Sequence, residues 1–421
     1  MGKKKLFFGW WIVAGLIVIT AYIQGIVAYG FTAMIEPIAH EFGWSYTQIS
    51  LAASIRGFET GMLAPVVGIL LDRLGSRKIL FTGVFFIGLG LILLSRLSSL
   101  IMFFGIFMLL SAGMSTCHAV VPMAVVGNWF RRKVSLATGI VVSGPAFGAL
   151  LVPVLTLVMD RFGWRIAMIA FGLGVWVIIL PLTLFIRHKP EPYGLFPDGE
   201  PVDYISINGK SYPEQIVERD FGIKETLRSR FFWHISIGMM CHAMAIAAVL
   251  THVMPYLSSL GISRSTSSLA ACVLPLSSIL GRLSAGWFGD YYNKKLVTAV
   301  CFILTCISML LFGYLTTSGR WLLFPFLLFL GIGYGGPIPM NSAMLREYFG
   351  RAHLGAVLGA CQGVLFIGVV FGPLLAGWAF DYYGNYFTAW FAMAGILIIG
   401  LLVIVTAPPY DIALKKQASP E

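Results

Sequence analysis

The sequence predicts an all-α protein that crosses a membrane about twelve times, from its composition, the length of its apolar runs and an internal repeat. Of its 421 residues 58% are hydrophobic and only 11% charged, with a mean hydropathy of +0.86. A soluble globular domain carries about 25% charged residues. Runs long enough to span a bilayer, which takes about 20 apolar residues, recur along the whole chain. Lipid offers backbone groups no partners outside the segment, and runs this long and continuous are too long for barrel strands, so all are helices. The net charge of +11 suggests nucleic acid in a soluble protein. Here the basic residues fall mainly in short loops between apolar runs, a signature of membrane topology rather than of nucleic-acid binding.

In chain order the predicted spans are 8–32, 46–71, 79–96, 100–127, 134–159 and 164–187 in the first half, then 231–257, 264–289, 296–318, 320–345, 354–380 and 385–408 in the second. Met1-Gly-Lys-Lys-Lys5 precedes an apolar run that continues to about Thr32 without a convincing cleavage site, which reads as an uncleaved first span. Of the 29 lysines and arginines, 22 lie at the termini or in even-numbered connections, five in odd-numbered ones, and Arg56 and Arg282 inside spans. That bias places both termini in the cytoplasm, expected here for an inner cell membrane. Cys117, Cys241, Cys272, Cys301, Cys306 and Cys361 all sit in apolar runs, with no CxxC and no metal-ligand spacing. They read as small core residues. Neither a nucleophile elbow nor a phosphate-cradling loop occurs, so no enzyme, metal or cofactor is expected.

Composition shifts between residues 188 and 229, which hold eight of the 18 acids and the Pro/Gly-rich run His188–Gly199. This is the expected cytoplasmic linker between an N-terminal six-helix bundle, 1–187, and a C-terminal one, 230–421. The halves repeat at a near-constant offset: Asp72 maps to Asp290, Phe130 to Phe349, Pro153 to Pro373 and Asp160 to Asp381. Two parallel six-span repeats joined by a linker resemble the major facilitator superfamily. Gly68-x-x-x-Asp72-Arg73-x-Gly75-x-Arg77-Lys78 resembles that superfamily's signature between spans 2 and 3, and Gly286 to Lys295, with Asp290, echoes it. The resemblance implies a charged gate at Asp72, Arg73, Arg77 and Asp290. More narrowly, Trp129-Phe-Arg-Arg-Lys133-Val-Ser-Leu-Ala-Thr-Gly139 through Gly144 resembles the span 4 to 5 signature of monocarboxylate transporters. The entry Phe8-Gly9-Trp10-Trp11 and the linker run Lys189-Pro-Glu-Pro-Tyr-Gly resemble bacterial members and the related oxalate/formate exchangers.

Arg282 is a lone arginine in the apolar run from Leu274 to Asp290. A charge at a helix centre costs roughly 2.5 to 3.5 kcal/mol on insertion scales, so it marks a cavity or a partner. Eight residues from Asp290 at about 1.5 Å per residue puts it roughly 12 Å from the cytoplasmic end, near the midplane. A guanidinium matches a carboxylate with two hydrogen bonds, and the resemblance implies that role for Arg282. In proton-coupled animal members an acid lies one turn before this arginine and a lysine lies in the outer half of span 1. Here Ser278 and Tyr29 stand at the matching places. In the oxalate exchangers a second basic residue lies in span 11, yet Leu354–Phe380 has no lysine or arginine, so one buried cation favours a monoanion.

Arg56 and Glu59 are three apart on one face of span 2, a self-neutralising pair or a proton acceptor at Glu59. His234 and His252 share a face of span 7, with His242 about 80° away; a cavity-facing histidine donates to substrate or titrates near neutrality. His252, with His242, joins Glu59 as a proton-coupling candidate. Spans 1, 4, 7 and 10 line the cavity in the superfamily, which makes Tyr334, Asn341 and His118 further binding candidates. The expectation is a secondary transporter of small monocarboxylates such as lactate or pyruvate moving with a proton, the alternative an organic-anion exchanger of the oxalate/formate type.

Overall fold

A computed structural model describes residues 7–44, 46–199, 204–207, 210–213, 221–316 and 319–408. Within these, twelve long helical stretches follow one another: α1 (Phe8–Phe42), α2 (Tyr46–Leu74), α3 (Ser76–Leu94), α4 (Leu100–Trp129), α5 (Val134–Phe162), α6 (Trp164–Phe185), α7 (Arg230–Ser259), α8 (Arg264–Tyr291), α9 (Lys294–Gly313), α10 (Arg320–Phe349), α11 (Leu354–Tyr383) and α12 (Phe387–Val405). Among the described residues eleven are long and apolar enough to cross a membrane. The other stretch, α2, is a helix of 29 residues. It contains Arg56 and Glu59, whose side chains lie outside the described residues.

Some helices outrun their apolar runs. The tail of α1 buries Phe31, Met34 and Ile38 on one stripe and exposes Glu36, His40 and Glu41. Hydropathy drops there while the helical spacing of apolar residues continues. Gly43, at φ 67°, ends this helix in the left-handed conformation that glycine adopts without a Cβ penalty.

The chain forms two compact units, Met1–Asp220 with Arg351–Ala360, and Phe221–Gly350 with Cys361–Glu421. In the first, α1 packs on α5 and α6, α2 on α4, and α3 on α4 and α6. In the second, α7 packs on α11 and α12, α8 on α10, and α9 on α10 and α12. The partners correspond helix for helix, so the sequence repeat is also a packing repeat. Close backbone approaches repeat with it. A Cβ on Gly148 would overlap the carbonyl of Ala21, and one on Gly368, the corresponding glycine of the second half, would overlap that of Met240. Even the end caps repeat: Arg77, near the start of α3, donates to the Leu184 carbonyl near the end of α6. Lys295, at the matching place near the start of α9, donates to the carbonyls of Ala407 and Pro408 after α12, at 2.7 and 3.1 Å.

The linker holds local structure. Strands β1 (Tyr204–Ile207) and β2 (Lys210–Pro213) pair antiparallel, and Asn208-Gly209 between them in sequence is the dipeptide hairpins favour most. Its first residues dock on the first unit. Arg187 lies over the rings of Phe8 and Tyr193, 4.5 and 3.8 Å from their centroids. Trp129 Nε1 donates to the Arg187 carbonyl (2.9 Å) and Asn128 Nδ2 to that of His188 (3.1 Å). The Asp198 carboxylate accepts the amide protons of Arg131 and Arg132, and Arg351 pairs with Glu191 at 2.5 Å.

Candidate functional site

In the second unit, small residues bring α8 and α10 together. A Cβ on Gly281 would overlap the Ile332 carbonyl, one on Gly331 the Ser277 side chain, and one on Gly335 the Ser278 carbonyl. Such seams let helix backbones touch where lipid supplies no hydrophobic drive for association. Arg282 lies on this seam, buried at 6% exposure. Its guanidinium carbon is 5.6 Å from the centroid of the Tyr334 ring, so an arginine and a tyrosine picked out separately in the sequence form one group. The aromatic face favours the cation, and the planar guanidinium has the two-pronged geometry that matches a carboxylate. Ser278, one turn earlier, is fully buried, and its hydroxyl donates back to the Pro275 carbonyl at 2.6 Å.

His242 joins the same group through the backbone. Its Nε2 lies 3.0 Å from the Gly333 carbonyl, so that nitrogen carries the proton. The ring rests on Phe302, centroids 5.0 Å apart. His252, ten residues further along α7, is engaged elsewhere: Nε2 donates to the Pro373 carbonyl at 3.0 Å, and Nδ1 accepts from the Tyr386 hydroxyl at 3.1 Å. His234 bonds the Arg230 carbonyl of its own helix. Asn341 is buried against Cys361, each side chain within 3.6 Å of the other. Between Tyr334 and Asn341, Pro337 removes one N–H from the α10 ladder, while Gly336 before it keeps helical angles.

In the first unit, Tyr29 ends a π-helical turn, Gln24–Tyr29, inside α1. His118 sits where α4 breaks between Cys117 and Val120. Gln24 and His118, with Thr20, Met114, Cys117 and Pro145, surround a cavity of about 10 Å³, about the volume one water needs. The serines that precede His118 on its face bond their own helix, Ser111 to Phe107 and Ser115 to Ala112. Tyr22 donates to the Phe171 carbonyl of α6.

A sequence model of the Major Facilitator Superfamily matches residues 13–284 and 253–420. The chain belongs to this superfamily. Among named relatives it is 25% identical to monocarboxylate transporter 12 of Rattus norvegicus, over 93% of this chain and 83% of that one. It is 24% identical to monocarboxylate transporter 13 of Bos taurus, over 96% and 90%. To the MFS-type transporter YcxA of Bacillus subtilis it is 26% identical, over 91% and 90%. Among solved structures, the E. coli fucose:proton symporter FucP superposes with a TM-score of 0.68 at 14% identity, covering 95% of this chain and 99% of that one. The proton:xylose symporter XylE gives 0.70, also at 14%, covering 95% and 96%. These share the fold. The chain is thus a multi-pass membrane transporter of the superfamily and not an enzyme.

The superfamily signature takes specific partners here. Asp72 accepts the amide protons of Gly355 and Ala356 at 2.9 and 2.8 Å, at the N-terminus of α11, where a carboxylate opposes the positive helix end. A Cβ on Gly68 would overlap the Gly355 carbonyl, so the first signature glycine permits that approach. Arg73 is exposed and Asp290 half-buried, while Arg77 caps α6. Sequence reasoning missed the His242–Gly333 bond and Tyr386 as the partner of His252. The run Gly331-Ile-Gly-Tyr-Gly-Gly336 was the available signal for the first, since glycines at that density announce helix contact.

Proposed function

We propose that this transporter carries small monocarboxylates of the lactate and pyruvate kind, one anion at a time, through an inner cell membrane with both its termini in the cytoplasm. The observation that carries the reading is Arg282 with Tyr334: a buried guanidinium in an apolar helix, faced by an aromatic ring. A carboxylate meets that fork with two charge-assisted hydrogen bonds, worth about twice a neutral one each. The substrate's short apolar remainder suits a bilayer-depth site. Residues 1–187 and 230–421 act as two bundles around alternating access, with 188–229 as their linker. Asn341, His252, Tyr29 and His118 complete the binding set. Asp72 and Asp290, with Arg73 and Arg77, form the gate, and the Asp72 bonds to the α11 amides are broken and remade in each cycle.

A proton moves through His252 or Glu59. Protonating His252 at Nδ1 requires the Tyr386 hydroxyl to turn from donor to acceptor, which a hydroxyl does by rotation. Exchange of organic anions is the second reading, favoured by Ser278 where proton-coupled relatives place an acid.

Labelled L-lactate uptake into proteoliposomes, challenged with a panel of unlabelled acids, tests the substrate class. Lactate and pyruvate should outcompete oxalate, because a dianion brings an uncompensated charge into a low-dielectric site at a cost of several kcal/mol. Oxalate competing as well as lactate would favour the exchanger.

A further inference from the structure

We propose that His242 is a positioning residue that holds the Tyr334 ring over Arg282, and not a proton carrier; this rests on the carboxylate-binding reading of Arg282. Tyr334 is bracketed by two glycines whose backbones are held from opposite sides. Gly333 is pressed on α9, where a Cβ would overlap the Thr305 hydroxyl and lie 2.9 Å from the Cys301 carbonyl. The Gly333 carbonyl accepts the His242 Nε2–H. Gly335 is pressed on α8, where a Cβ would overlap the Ser278 carbonyl and lie 2.9 Å from the Arg282 amide nitrogen. The backbone of Tyr334 is therefore fixed by α7 and α9 before it and by α8 after it, and its ring falls over the guanidinium as a consequence.

The His242 bond is the polar pin of this arrangement, and it fills a gap in the helical ladder of α10. Gly336 keeps helical angles and its N–H bonds the Ile332 carbonyl at 3.0 Å, but Pro337 has no N–H to give the Gly333 carbonyl. A side-chain donor from a neighbouring helix supplies that bond beside Tyr334. His242 is suited to it, being 4% exposed and clamped against Phe302. An aromatic ring and a backbone carbonyl meet it there, and the carbonyl requires the hydrogen on Nε2.

The inference separates two roles. A proton carrier must give up and take back its proton in each cycle, whereas a pin must keep donating. Glutamine preserves an N–H donor near the Nε2 position and does not titrate; phenylalanine keeps the ring and removes the donor. The experiment measures labelled L-lactate uptake into proteoliposomes across pH 5.5 to 8 for the wild-type protein, His242→Gln and His242→Phe, at matched reconstitution. Expected are a KM within about twofold of wild type and an unchanged pH profile for His242→Gln. For His242→Phe the KM should rise about fivefold or more, about 1 kcal/mol at 1.4 kcal/mol per tenfold. A second measurement repeats His242→Phe in a Tyr334→Leu background. If the histidine acts through the tyrosine, the two effects are not additive and the KM rise from His242→Phe disappears.

A flattened pH profile in His242→Gln would identify a proton carrier and overturn the proposal, as would a wild-type KM in His242→Phe or fully additive effects in the double variant. Should His242→Phe not reconstitute, His242→Asn, whose amide falls short of the Gly333 carbonyl, replaces it with the same expected rise. Arg282→Lys in the same assay keeps the two readings apart. Normal transport by that variant removes the binding site itself; a crippled Arg282→Lys beside an unaltered His242→Phe removes the positioning role alone.

Discussion

Burial treats two basic residues of this transporter in opposite ways. A guanidinium stays charged wherever it is placed, so Arg282 is a permanent cation in its apolar helix. His188, at the start of the linker, yields instead: burial first, then the neighbouring Lys189 charge, pushes its pKa down from 6.5 to about 4, with Glu191 pulling weakly the other way. Its folded value lies below its unfolded one, so between 6.5 and about 4 the unfolded chain binds more protons. The stability tied to neutral His188 is complete above about 6.5 and is lost as the pH falls toward 4. Thermal unfolding in detergent should therefore lose a few degrees more between pH 7 and pH 5 in the wild type than in His188→Asn. Identical losses in both would show that His188 is not desolvated. The sequence made Arg282 legible, because a charge inside an apolar run stands out. His188 and His242 were not: one sits in a Pro/Gly-rich stretch that reads as solvated, and the other owes its role to a carbonyl 91 positions away.

Helices in this protein are positioned largely by where side chains are missing. Gly335→Ala puts a methyl group on the Ser278 carbonyl and against the Arg282 amide. It should part α8 from α10, lowering the melting temperature by about 5 °C or more and abolishing lactate uptake. Gly395→Ala in α12 meets nothing within 4 Å and should leave both unchanged. Equal behaviour of the two would mean that the seam does not locate Arg282. The existence and order of the helices were legible from apolar run length, which is a property of each segment alone. Their ends were not: α1 continues well past its apolar run, to Phe42, because amphipathic spacing replaces continuous apolarity. Nor was the linker's docking legible, which depends on Asp198 meeting amides of the α4 to α5 connection.

At the scale of the whole molecule the repeat dominates, and the departures from it locate function. Both units share one helix-packing plan and one type of cap at Arg77 and Lys295. The residue that stands to Asp72 as Arg282 stands to Asp290, however, is Ala64. The cation proposed to bind substrate thus has no counterpart at the matching position of the first half. With Ser278 bonded to its own helix in place of an acid, an empty return would move Arg282 without its anion. Counterflow of labelled lactate at equal pH on both sides should accordingly run faster than net flux, with pH dependence weakened in Glu59→Gln or His252→Ala. Strong gradient-driven accumulation unaffected by either change would place the coupling elsewhere. The most direct test of the central claim, that Arg282 binds the carboxylate, is labelled L-lactate uptake by Arg282→Lys in proteoliposomes at equal protein density. Lysine keeps the charge and loses the two-pronged contact, so uptake should fall at least about tenfold, roughly 1.4 kcal/mol. Near-normal uptake by Arg282→Lys would contradict the account.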